Sequence, residues 1–405
     1  MTKFRVWAPK AKKMEIQINK NKTAMRPEDG GWWELEVNEA VPGTDYTFII
    51  DSSKPLPDPR SLYQPQGVHG PSRVVDHSVF KWNDHHWQPA PLASAVIYEL
   101  HIGTFTRDGT FDAAIEKLDY LAELGITHVE LMPVNEFPGS HGWGYDGVDL
   151  YAPHHAYGGP EALKRLVDAC HAKNLAIILD VVYNHLGPSG NYLSQFGPYF
   201  TERYHTPWGE AVNLDGRGSV EVRKFFIDNA LMWLRDYHFD CLRIDAVHAI
   251  LDTSAIHFLE EMALEVGALE AQIGRKLTLI AESDLNDPRV IRPREIGGFG
   301  IDAQWNEDFH HALHAVLTRE DKGYYADFGT LGDLADCLQN GFTYDGRFSV
   351  YRGRIHGKPA AGIFGRSFIG CIQNHDQVGN RARGDRISHI TGHNRAKIAA
   401  ALVLT

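Results

Sequence analysis

The chain begins with short runs in which apolar and polar residues alternate. These are Phe4–Ala8, Met14–Ile18, Trp32–Val37 and Tyr46–Ile50, with turn residues at Glu28-Asp29-Gly30-Gly31 and Pro42-Gly43 between them. Period-two alternation broken by turns predicts strands with one face buried, and several such strands in series predict a β-sandwich. Residues 1–88 therefore read as an N-terminal immunoglobulin-like sandwich. Trp32 and Trp33 read as its core filling, ahead of a role in binding glycan. The Pro-rich stretch from Pro55 to about Pro91 has too ordered a composition for a flexible linker. It is expected to pack along the next domain.

From Ala95 the rhythm changes to strand, loop and helix in repetition. Strands are predicted at Val96–Phe105, His128–Val134, Ala176–Val182, Phe239–Ala246, Leu277–Ser283, Ala303–Phe309 and Phe368–Asn374. Helices are predicted at Phe111–Leu124, Pro160–Lys173, Ser219–Tyr237, Ile256–Leu269, Asp308–Leu317 and Arg395–Leu404. Gly125 closes the first helix, and Gly159-Pro160-Glu161 opens the second with Pro in the first turn. About seven β/α units in line predict a (β/α)8-type barrel over residues 89–405 rather than a doubly wound sheet. The count is one strand short, and the last apolar helical run reaches Thr405, so the expectation is a barrel lacking its eighth strand and truncated at its C-terminal side.

Polar clusters follow the apolar strands. Ile177-Ile178-Leu179 leads into Asp180 and on to Asn184-His185, and Leu279-Ile280-Ala281 ends at Glu282-Ser283-Asp284. Gly370-Cys371-Ile372 leads to Gln373-Asn374-His375-Asp376. Between them, Cys241-Leu242-Arg243-Ile244 runs into Asp245-Ala246-Val247-His248. Function in such barrels sits at the C-terminal strand ends, and a packed core gains nothing from charge there. Arg243 and Asp245, two residues apart on a strand, point to one side, and the guanidinium favours an ionised carboxylate. Glu282 follows an apolar run, where partial desolvation keeps a carboxyl protonated to higher pH. One ionised and one protonated carboxyl is the pair that glycosidic cleavage requires.

Composition narrows the function further. The formal net charge is -12 with no basic block, which disfavours nucleic acid as a partner. No run approaches transmembrane length and the start lacks an apolar signal core, so a cytoplasmic protein without membrane contact is expected. Cys170, Cys241, Cys337 and Cys371 show no metal spacing and read as free thiols. His310, His311 and His314 lie at helical spacing and are expected on a half-exposed helix face rather than around a metal.

The four strand-end clusters resemble the motif regions of the alpha-amylase superfamily of glycoside hydrolases. The resemblance covers nearly the whole chain, sandwich included. It implies Asp245 as nucleophile, Glu282 as general acid/base and Asp376 as the third carboxylate that holds sugar hydroxyls. It implies Arg243 as the partner of the nucleophile and His185 and His375 as hydrogen-bonders of the sugar. Tyr145, in Gly142-Trp143-Gly144-Tyr145-Asp146, corresponds to the aromatic platform beneath it. His248 joins them as a substrate-binding candidate, and Asp180 takes a supporting role. The implied substrate is a maltooligosaccharide. The segments Ile280–Arg289, Gln373–Arg381 and Tyr204–Gly209 favour cleavage of the α-1,4 bond next to a terminal trehalose unit. Transfer of glucan segments to make α-1,6 branches, or a catalytically silent glycan-binding barrel, are the alternatives. Relatives hold calcium near Asn184 and His185, but Leu186 to Gly216 is short for that purpose, so no metal and no cofactor are expected.

Overall fold

Seven parallel strands carry Asp180 and Arg243 and place Asp245 and Glu282 just beyond their C-terminal ends. The structure is a computed structural model describing all of residues 1–405. In spatial order the strands are Ile97–Leu100, His128–Leu131, Ala176–Val181, Cys241–Ile244, Thr278–Ala281, Ala303–Trp305 and Phe368–Ile369. Neighbours in space are neighbours in sequence, as successive β/α units require. The first and seventh strands are the two edges, with a cavity of about 920 Å³ lined by Ile97, Glu99, Phe368 and Ile369 among others. The sheet is curled, because Glu99 of the first strand reaches His375 beyond the seventh at 2.6 Å.

Register places the chemistry on one face. Glu99 pairs with Glu130, Glu130 with Ile178, Asp180 with Arg243 and Arg243 with Ile280. Paired residues in a sheet share a face, so these side chains line the inside of the curl. Below them Ile178, Cys241, Ile280 and Trp305 form an inner apolar cluster. The intervening residues Ile177, Leu179, Leu242, Ile244 and Leu279 face outward into the main core. There they meet Val222 and Phe226 of the helix Ser219–Asp236 and Leu163 and Val167 of the helix Gly159–Ala172. No helix is long and apolar enough to cross a membrane.

The strands are shorter than the apolar runs suggest, for local reasons. The fourth ends at Ile244 because Ala246 turns left-handed, at φ 40°. The first ends at Leu100, and Ile102–Phe105 closes into a helical turn instead of continuing. The sixth stops at Trp305, where Asn306 caps the helix Glu307–Thr318 by accepting from the Phe309 N–H. The predicted helix Phe111–Leu124 is two pieces, Phe111–Ile115 and Leu118–Glu123.

At the N-terminus a three-stranded sheet (Thr2–Trp7, Trp32–Val37, Arg26–Glu28) accompanies a four-stranded one built on Met14–Ile18 and Asp45–Ile50. Trp32 is buried, with the Arg5 guanidinium 4.2 Å above its ring. The connector does pack along the sheet-and-helix body. Asp84 takes His171 and His238, each at 2.8 Å, while Trp87 stacks on His171 and Trp82 on His238.

One expectation is corrected. His310, His311 and His314 are buried, at 0%, 6% and 3% exposure, not half-exposed. Their helix packs against the helix Leu331–Asn340, and the aromatic segment Tyr324-Tyr325 covers the histidines, Tyr325 stacking on His314 at 4.3 Å.

Candidate active site

Arg243 is the hub. It is fully buried, and its charge lies over the Trp305 ring at 5.5 Å. One terminal nitrogen donates to Asp180 at 2.7 and 2.8 Å and to Asp245 at 2.9 Å. The other lies 3.0 Å from Glu282 Oε1, at ion-pair distance without the alignment of a hydrogen bond. A planar guanidinium offers several donors in fixed directions, so one side chain spaces three carboxyls at once.

Each carboxyl has a second restraint. Asn184 donates its amide to Asp245 Oδ2 at 2.7 Å and to the Asp245 carbonyl at 3.0 Å, and in turn bonds His185 Nδ1 at 2.6 Å. Glu282 Oε2 accepts the Ala246 N–H at 2.7 Å. That bond explains the left-handed backbone at Ala246, an unfavourable conformation for a residue with a Cβ, since the turn aims its N–H at Glu282. Asp180 also accepts the Tyr145 hydroxyl at 2.6 Å. Gly144 precedes Tyr145 at φ +96°, with the Pro133 carbonyl only 2.2 Å from where a Cβ would be, so glycine is required there.

His375 and Asp376 open a short helix, His375–Gly379, capped by Asn374. The His375 ring stacks on Tyr145 at 5.0 Å, and its Nε2 lies 2.9 Å from the Tyr145 hydroxyl. Asp376 points outward into a cleft of about 650 Å³ shared with Glu282, His248, Asp284, Glu307 and Arg352. Trp208, at the turn of the hairpin Phe200–Thr206 and Gly209–Val212, stacks on His185 at 5.0 Å.

The residues singled out from the sequence thus gather in one place: contacts link Tyr145, His185, Arg243, Asp245, Glu282, His375 and Asp376, and His248 joins Glu282 and Asp376 in lining the cleft. His248 is the most peripheral, 3.8 Å from Asp284. Two neighbours went unread. Glu99 accepts both the His375 backbone N–H and its ring, and Glu307 lines the cleft beside Glu282 and Asp376. Both are acidic residues at a strand end, the very signal used for the other clusters, in Ile97-Tyr98-Glu99-Leu100 and Trp305-Asn306-Glu307.

Burial dominates the electrostatics of several of these carboxyls. Burial raises Glu282, helped by the charge of Asp245 and opposed by Arg243. Burial also raises Asp376, and pushes Asp180 up to about 7 against the pull of Arg243. Glu307 is pushed up to about 8, chiefly by burial and then by the charges of Glu282 and Asp376. The folded state therefore binds a proton on Glu307 that the unfolded chain, near 4.3, releases. This contribution is full below about pH 4 and lost as pH rises through about 8. Glu307→Gln is expected to flatten the fall in stability between about pH 5 and pH 8, read from urea midpoints at each end.

Two groups of side chains converge in the manner of metal ligands, Glu136 with His154 and His155, and Glu307 with His310 and His311. In the first, Glu136 Oε1 lies 2.8 Å from His155 Nδ1, a hydrogen bond, and 3.2 Å from His154 Nδ1, which makes none. The four cysteines are unpaired.

A family model for the alpha amylase catalytic domain matches residues 80–206, and one for carbohydrate-binding module 48, the isoamylase N-terminal domain, matches residues 1–65. A malto-oligosyltrehalose trehalohydrolase from Arthrobacter ramosus is 52% identical over 99% of this chain and 71% of its own length. The enzyme of that name from Saccharolobus solfataricus is 48% identical over 99% and 70%. A 1,4-alpha-glucan branching enzyme from Geobacillus stearothermophilus is more distant, 31% identical over 75% of this chain and 53% of its own. Among solved structures, an alpha amylase homologue from Salmonella typhimurium superposes with a TM-score of 0.93 at 42% identity, covering 99% of this chain and 68% of the other. A pullulanase from Paenibacillus barengoltzii complexed with maltotetraose reaches 0.73 at 20% identity over 100% of this chain and 70% of its own, a likeness of fold alone. The chain belongs to the malto-oligosyltrehalose trehalohydrolase family, within the alpha-amylase group of glycoside hydrolases.

Proposed function

We propose that the chain hydrolyses the α-1,4-glucosidic bond next to the terminal trehalose unit of a maltooligosyltrehalose, with Asp245 as nucleophile and Glu282 as acid/base. The observation that carries the reading is the seating of these two carboxyls on the two terminal nitrogens of Arg243, with Glu282 lining the adjoining cleft. Carboxyls that share one guanidinium suit the close spacing of a retaining pair better than the wider gap that admits a water between them.

In the first step Asp245 attacks the anomeric carbon, and a C–O bond forms as the glycosidic bond breaks. Glu282, raised by burial, gives its proton to the leaving oxygen, and trehalose departs. In the second step Glu282 takes a proton from water, the water oxygen attacks the same carbon, and Asp245 is released as carboxylate. Asp376, facing the cleft, is placed to hold sugar hydroxyls as positive charge builds at the anomeric carbon. Tyr145, with His375 stacked on it, offers a face to the ring undergoing cleavage, His248 edges the cleft, and His185 is tied to Asp245 through Asn184.

Residues 1–88 as an accompanying sandwich and 89–405 as the catalytic domain belong to this reading, as does action in the cytoplasm, where four unpaired thiols fit a reducing environment. The test is incubation with maltooligosyltrehalose and, separately, with amylose. Free trehalose from the first and no new α-1,6 branches in the second is the expected result. Branches without trehalose would replace the reading with glucan transfer.

A further inference from the structure

We propose that Glu99 is a positioning residue for this reaction, holding His375 as an imidazolium whose Nε2–H is aimed at the Tyr145 hydroxyl. The inference rests on the proposed role of the site and extends it to a residue outside the four motif regions.

The geometry links Glu99, His375, Tyr145 and Asp180 in one chain of hydrogen bonds. Glu99 Oε2 accepts the His375 backbone N–H at 2.8 Å, and Oε1 lies 2.6 Å from the ring Nδ1. A carboxylate accepts only, so Nδ1 carries a hydrogen. On the other side, Asp180 accepts from Arg243 through both oxygens and takes the single Tyr145 hydroxyl hydrogen at 2.6 Å. With that hydrogen committed, the 2.9 Å contact between Tyr145 and His375 Nε2 requires a hydrogen on Nε2 as well. In this arrangement both ring nitrogens donate, and the ring is a cation.

The same three protons have a second arrangement. If Asp180 were protonated and donated to Tyr145, the phenol would donate to a neutral His375 with no change in proton count. Burial pushes Asp180 up to about 7, so the two resting places compete. The charge at Glu99 decides between them. Burial pulls His375 down, but its bond and its proximity to Glu99 outweigh that and leave it raised. The charged groups facing the ring are Glu99 from the first strand, Arg243 from the fourth, Glu282 from the fifth and Asp376 on its own helix, 3.7 Å from Nε2. Glu99 is the one bonded to both ring and backbone, so it also fixes where the helix carrying Asp376 begins.

Glu99→Gln keeps the shape and removes the charge. Histidine-selective nitrogen NMR, with His375→Gln to assign the signal, should show His375 protonated on both nitrogens at neutral pH in the unaltered chain and singly protonated in Glu99→Gln. The rate of trehalose release should fall roughly 10- to 100-fold in kcat, with KM changed less. Glu99→Asp retains the charge and should retain the doubly protonated signal and part of the rate. A doubly protonated His375 in Glu99→Gln would overturn the proposal. An unchanged kcat beside a neutral ring would overturn it equally. Trehalose release by the unaltered chain tests the parent reading by itself, so the two failures are told apart.

Discussion

Arg243→Met is expected to abolish measurable trehalose release and to lower folding stability by about 3–5 kcal/mol. Arg243 is fully buried and touches Asp180, Asp245 and Glu282. Removing the cation leaves a cluster of carboxyls out of water with no compensating charge, which is the costly way to break a buried ion pair. Which uncharged side chain fills the space does not matter much, because the loss is electrostatic. Arg243→Lys separates charge from geometry. A single ammonium restores the charge but cannot place Asp245 and Glu282 on two nitrogens of a rigid plane. It should recover much of the stability, measured by urea unfolding, while kcat stays at least about 100-fold down. Equal recovery of both would show that charge alone is what the site needs.

Asp245→Asn and Glu282→Gln are expected to cost at least about 5 kcal/mol of transition-state stabilisation each, roughly 10^4-fold in kcat. Their failures should differ in kind. Without Glu282 as acid, a substrate whose leaving group departs unaided, such as a glycosyl fluoride, should still transfer its sugar to the enzyme. Without Asp245 no such rescue follows, because the bond to carbon is never made. The folded state should tolerate both changes. Asn can keep its carbonyl oxygen on Arg243 at the loss of the Asn184 bond, which Asp245 accepts through its other oxygen, and Gln can still accept the Ala246 N–H. Thermal unfolding within a few degrees of the unaltered chain, alongside the rate loss, would distinguish chemistry from collapse.

Much of this site was legible because barrel sheets write polar residues at strand ends, where an apolar run stops abruptly. Asp245, Glu282 and Asp376 each follow such a run, and alternation alone placed Arg243 on the same side as Asp245. Where strands stop was not legible. Ala246 leaves the ladder through a left-handed turn that only the Glu282 contact explains, a relation between residues 36 apart. Glu99 escaped for the same reason: its partner, His375, is 276 residues away, and only the curl of the sheet brings the first and seventh strands together. The three histidines at 310, 311 and 314 were read as half-exposed because helical spacing reports which residues share a face, not what covers it. Tyr324 and Tyr325, arriving from a later segment, supply the cover. The hairpin bearing Trp208 was not among the predicted strands, since its bulged register between Thr201 and His205 breaks the alternation that marks them.

The central claim is that Asp245 forms the bond to sugar while Glu282 supplies the proton. A maltosyl fluoride bearing a second fluorine on the reacting ring slows departure of the enzyme-bound sugar, and peptide mass spectrometry of the trapped protein then names the residue that carries it. The account predicts the added sugar mass on the peptide containing Asp245, and its absence in Asp245→Asn. Sugar found on Glu282, or steady turnover of the unaltered chain with inversion at the anomeric carbon and no trapped species, would contradict it.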